Sequence, residues 1–189
     1  MSAIYLASQS PRRRELLSQL GIEFVQFSVD ADETPFENES ARQLVERLAR
    51  LKAETGVAMG YEDRPVLGSD TVVVYDNHIM GKPTDFEDFQ RMMKQLSGRT
   101  HQVLTAIALS STHKTMSKVV TTDVTFKPLS DDEITAYWHT QEPLDKAGGY
   151  GIQGRAGAFV THLSGSYFAV MGLPLYETQE LIAEFNNEL

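Results

Sequence analysis

The chain has 189 residues, 41% of them hydrophobic, a net charge of -9 at pH 7 and no cysteine. That is long enough for one well-buried domain or two small lobes, and too acidic for non-specific nucleic-acid binding, which needs a basic face. Disulfides and thiolate metal sites are excluded outright. The N-terminus lacks an apolar signal region and no apolar run approaches the roughly 20 residues of a membrane span, so a soluble, cytoplasmic protein is expected.

No internal repeat or low-complexity segment interrupts the pattern, and residues 1–189 read as a single domain. Ala3 to Ala7 predicts a short buried strand. A helix follows from Pro11 to about Leu20, with Ser10 as N-cap, Pro11 in the first helical position and Gly21 as its C-terminal glycine. Phe24 to Val29 alternates as a strand does. Ser40 with Gln43 forms a capping box for a long helix whose apolar stripe is Leu44, Val45, Leu48 and Leu51. VLGSDTVVVYDNHIMGKP, with Asp76-Asn77 at its centre, predicts a hairpin. Thr84 with Glu87 caps a helix that presents Phe86, Phe89, Met93 and Leu96 on one face and ends at Gly98.

Two long strands, HQVLTAIAL and MSKVVTTDVTF, are joined by a polar turn, and Ser130 with Glu133 caps a helix to about His139. Phe159 to His162 and Tyr167 to Val170 read as short strands, and Leu175 to Phe185 as a closing helix. The hairpins break strict βαβ alternation, so the sheet should be mixed and flanked by helices.

Several familiar chemistries are missing. There is no P-loop motif. Gly149, Gly151 and Gly154 form a G-x-G-x-x-G, but RAGAFVTHL after it reads as strand, where a dinucleotide site needs a helix. The five histidines (78, 101, 113, 139 and 162) have no metal-ligand spacing, and most read as surface or turn residues. What remains is a set of charges at element ends. Arg12, Arg13 and Arg14 crowd a helix start, where cations are locally unfavourable unless something anionic joins them. Lys52 lies late on the long helix, Lys82 sits in a G-K-P turn and Glu33 in the acidic loop DADETPFE. Asp70 stands within VLGSDTVVV, whose neighbours are apolar, and a buried carboxylate without a task is uncommon. Cations at a helix N-terminus make a phosphate cradle, and two nearby carboxylates suit Mg²⁺, so the spacing suggests polyphosphate chemistry.

LASQSPRRRELL, GSDTVVV, GKP, TDVTF, DKAGGYGIQG and VMGLPLYET, in that order from about residue 4 to 180, resemble the Maf family of nucleotide pyrophosphatases. Arg12, Thr71 and Gln153 match the branch acting on dTTP and UTP, whereas the branch acting on 7-methyl-GTP differs there; the extra Arg14 is a departure. The resemblance implies an α/β fold with two lobes around a cleft, similar to the inosine triphosphate pyrophosphatases. It also implies hydrolysis of a nucleoside triphosphate to the monophosphate and pyrophosphate. It casts Asp70 as catalytic base, and Glu33 with Asp70 as ligands of a divalent metal, Mg or Mn. Arg12, Arg13, Lys52 and Lys82 would neutralise the triphosphate, and Thr71 and Gln153 would govern base choice. The partner is the nucleotide, not nucleic acid or membrane, and a homodimer stays open. Two alternatives stand beside this reading: a nucleotide-binding regulator of septation, and a house-cleaning enzyme for modified or purine triphosphates.

Overall fold

Residues 3–187 are described by a computed structural model built around one seven-stranded mixed sheet. Strands β1 (Ile4–Ala7), β2 (Phe24–Phe27) and β3 (Val66–Tyr75) are parallel, with β1 in the middle. β4 (His78–Met80) folds back on the end of β3 through Asp76 and Asn77, both at positive φ, as a tight hairpin turn requires. β5 (Thr100–Ser110), β6 (Thr115–Phe126) and β7 (Val160–Ser164) extend the other side antiparallel, giving the order β2-β1-β3-β5-β6-β7.

The helices start where the caps predict, with one shift. Ser10 accepts a hydrogen bond from the Arg13 N–H ahead of α1 (Pro11–Gln19), and Ser40 and Gln43 complete a capping box on α2 (Ala41–Ala58). α3 (Phe86–Leu96) is capped by Asp85, which accepts from the Asp88 N–H, one position along from the expected Thr84 and Glu87. Ser130 and Glu133 box the start of α4 (Asp131–Trp138). Residues 167–170 are not a strand. Ser166 caps a short helix, α5 (Tyr167–Met171), which Gly172 ends at φ +119. With only one turn available, the aromatic and β-branched content outweighs helical period in the sequence, while the cap and the glycine decide the structure. α6 (Leu175–Asn187) closes the chain.

Two hydrophobic clusters cover the two faces of the sheet, and alternation along β3 divides them. Val72 and Val74 pack with Leu44, Val45 and Leu48 of α2. Val73 joins the larger cluster that includes Leu16, Leu17, Phe89 and Phe185. α2 lies unusually close to the sheet. A Cβ on Gly68 would come within 2.3 Å of the Ala49 carbonyl oxygen and 2.7 Å of the Ala53 nitrogen, so only glycine admits the helix backbone there.

Candidate active site

Asp70 lies in the middle of a strand, not at its end. The edge of β3 facing β1 pairs with it only at Val66 and Leu67, and with β4 only from Val73. Between these, among the described residues, no strand covers that edge, while β5 pairs the opposite edge throughout. β1 leads from one side of this gap into the start of α1 with its arginines, and β4 leads from the other side into Gly81 and Lys82. The sheet is therefore interrupted where its charged strand residue sits.

Successive side chains along β3 face opposite sides. Asp70 points toward α2, where the Lys52 ammonium lies 2.8 Å from its carboxylate. The same ammonium lies 2.9 Å from Glu33, whose side chain is largely exposed. This reach follows from the close approach at Gly68. Ala49, Ala53 and Gly56 keep α2 low on the sheet, and Lys52, beside Ala53, is delivered over the strand. Burial pushes the Asp70 carboxyl above its ordinary range; Lys52 and Arg13 oppose this, and Glu33 adds to it. A carboxylate so placed holds a proton more readily than one in water, which suits a general base.

Thr71 points to the other side, toward α1 and α5. Arg13 donates from Nη2 to the Thr71 hydroxyl at 3.1 Å and from Nε to the Gly172 carbonyl at 2.8 Å. Its guanidinium is thus anchored by neutral acceptors. Burial lowers its pKa from the ordinary value, with Asp70 acting in the opposite sense. Arg12, in the same turn, is half-buried and close enough to Asp145 for its charge to act on that carboxyl. Burial would raise the Asp145 carboxyl, but Lys146 and Arg12 outweigh it and hold it low. Lys82 and Gln153 are exposed. They come from segments tied together by the Gly148 N–H, which donates to the Gly81 carbonyl at 3.1 Å.

The glycine turn carrying Gln153 has an anchor the sequence did not announce. Glu142 accepts from the Tyr137 hydroxyl at 2.7 Å and from the Arg155 N–H at 3.2 Å, and Tyr137 accepts from the Gly151 N–H at 3.1 Å. A Cβ on Gly154 would fall 2.3 Å from the Glu142 carboxylate oxygens, so this glycine makes room for the clamp. A lone glutamate before a proline carries no local sign of that role. Thr105, within an apolar strand, likewise carries no local sign of its role; its hydroxyl meets Thr71 at 2.9 Å and the Ala169 carbonyl at 2.6 Å.

Among the described residues no three His, Cys, Asp or Glu side chains cluster as a metal cage. The donor chemistry nevertheless fits a hard cation. Asp70 and Glu33 converge on one positive centre, now the Lys52 ammonium, and Mg²⁺ is commonly held by one or two carboxylates with water and substrate phosphates.

The family model described as Maf-like protein matches residues 3–185. The chain belongs to the Maf-like protein family. A protein named dTTP/UTP pyrophosphatase from Pseudoalteromonas translucida is 68% identical over 97% of this Maf-like chain and 97% of its own. One of the same name from Vibrio parahaemolyticus is 54% identical, again covering 97% of each. Among solved structures, the Ham1 protein of Staphylococcus aureus aligns with a TM-score of 0.47 at 16% identity, over 66% of this chain and 72% of that one.

Proposed function

We propose that this protein hydrolyses dTTP and UTP to the monophosphate and pyrophosphate. The observation that carries the reading is a buried carboxylate, Asp70, at a gap in the sheet, with Lys52 of α2 bonded to it and Arg13 of α1 acting on its charge. Relatives spanning nearly the full chain and named dTTP/UTP pyrophosphatase support the substrate. A pure nucleotide binder would need the cations but not a carboxylate whose proton affinity is raised.

In this reading Arg12, Lys52 and Lys82 offset the triphosphate charge, and Arg13 both contributes positive potential and braces Thr71. Asp70 takes a proton from water as its oxygen attacks the α-phosphorus; the bond from that phosphorus to the bridging oxygen breaks and pyrophosphate leaves. Asp70 and Glu33 would hold the divalent ion, which when bound supplies charge neutralisation for the phosphates. Thr71 and Gln153 take part in base choice. The Gln153 amide offers one donor and one acceptor to the edge of uracil or thymine, from a turn the Glu142 clamp keeps in shape. The cytoplasm, where nucleoside triphosphates are held, suits the reaction; among the described residues no helix is long and apolar enough to cross a membrane.

The test is product identity. With Mg²⁺ or Mn²⁺, dTTP should yield dTMP and pyrophosphate, whereas dTDP with inorganic phosphate would mean attack at the γ-position and overturn the reading. Replacing Gln153 by alanine should lower the preference for dTTP over dCTP by about three- to tenfold, the worth of one hydrogen bond. Equal losses for both nucleotides would make Gln153 a scaffold residue.

A further inference from the structure

We propose that Thr105, sealed beneath the site, is a specificity-positioning residue that makes Thr71 a hydrogen-bond acceptor, and never a donor, toward the ligand. The argument rests on proton counting. A threonine hydroxyl has one proton and two lone pairs. Thr105 is fully buried and lies 2.6 Å from the carbonyl oxygen of Ala169 in α5. A carbonyl can only accept, so the one Thr105 proton is committed there. The Thr71 and Thr105 hydroxyls are 2.9 Å apart, and with the Thr105 proton spent, Thr71 must be the donor between them. Arg13, which has only protons to give, occupies one Thr71 lone pair at 3.1 Å. Thr71 is left with a single lone pair for anything in the gap.

This inference rests on the reading that Thr71 faces the pyrimidine, and it specifies what Thr71 can read there. An acceptor-only oxygen pairs with the imide N–H of uracil or thymine. It cannot pair with their carbonyl oxygens, and it repels the bare ring nitrogen that cytosine presents in place of the imide. The relay therefore discriminates by a proton present in one base and absent from the other. Arg13 and Thr105 approach Thr71 from different elements, α1 and β5, so the hydroxyl is fixed in direction as well as in polarity.

Thr105→Val keeps the shape of the side chain but removes the acceptor, freeing the Thr71 proton to turn outward. The measurement is kcat/KM for dTTP and dCTP, which differ in the base and share the sugar. The dTTP-to-dCTP ratio should fall about three- to tenfold in Thr105→Val, and Thr105→Ser, which restores the hydroxyl, should return it to the wild-type value. A purely structural role would lower both substrates together. A ratio that stays within twofold in Thr105→Val while Thr71→Val lowers it would overturn the relay. A ratio unchanged in both variants would overturn the relay together with base reading by Thr71, leaving the reaction itself to stand on its products. Should Thr105→Val fail to fold, Thr105→Cys, whose thiol is a weak acceptor, carries the same expectation and the same refutation.

Discussion

Lys52 touches two carboxylates whose surroundings differ, and the difference decides what each substitution does. Asp70 is 8% exposed, while the Glu33 side chain is 58% exposed. Removing the Asp70 charge relieves a desolvation cost, whereas removing Lys52 leaves that charge buried without its partner. Asp70→Asn should therefore melt within about 1 kcal/mol of wild type while kcat falls by about 10²–10⁴, the loss of a general base. Lys52→Met should cost about 3 kcal/mol of stability, less to the extent that Asp70 takes up a proton. An Asp70→Asn protein that melts normally and turns over within a few-fold of wild type would remove Asp70 from the chemistry. Asp70 itself was legible in the sequence because a charge amid apolar strand residues is a local anomaly. Its bond to Lys52, 18 positions earlier, was not, and neither was the Arg13 contact to Gly172, 159 positions away. Local pattern names the charged residue; only the fold names its partner.

The elements that could be read from sequence are those whose signals are local. Ser10, Ser40 and Ser130 cap their helices because a side-chain oxygen three residues from an unpaired N–H needs nothing else to form. α5 escaped because five residues give no period to detect, and the β3 gap escaped because pairing partners lie far along the chain. The packing of α2 on β3 was equally hidden, since Gly68 reads as an ordinary weak point in a strand. It is instead the contact that sets the height of the helix. Gly68→Ala would drive a methyl group into the Ala49 and Ala53 backbone, which cannot swing aside as a side chain can. A loss of at least about 1–3 kcal/mol is expected from overpacking. Because Lys52 sits beside Ala53, kcat/KM should fall further than in an equally destabilised variant of the other face, such as Leu17→Ala. Equal activity in the two, measured well below their melting temperatures, would separate helix height from catalysis.

Across the whole molecule, the response to acid should be governed in part by a histidine that belongs to no site. His101 on β5 is 2% exposed, with Phe126 edge-on at 5.0 Å between ring centroids and Tyr150 packed on it from the glycine-rich segment. Its Nε2 lies 2.6 Å from the Tyr150 hydroxyl, and its Nδ1 has no partner among the described residues. Tyr150 donating to Nε2 leaves one group unsatisfied, the Nδ1 proton; the opposite arrangement would also leave the tyrosine proton unpaired. The ring is therefore neutral, and burial lowers its pKa from 6.5 to about 4. Between those values the unfolded chain binds a proton that the native protein refuses, so stability must fall as pH drops from about 6.5 toward 4. From pH 7 to pH 5 the loss from this one group is about 2 kcal/mol. His101→Gln, whose amide can still meet the Tyr150 hydroxyl, should be less stable at pH 7 yet lose about 2 kcal/mol less than wild type between pH 7 and pH 5. Denaturant unfolding at the two pH values measures this directly. Parallel losses in the two proteins would show that His101 is protonated in the folded core and that acid sensitivity arises elsewhere.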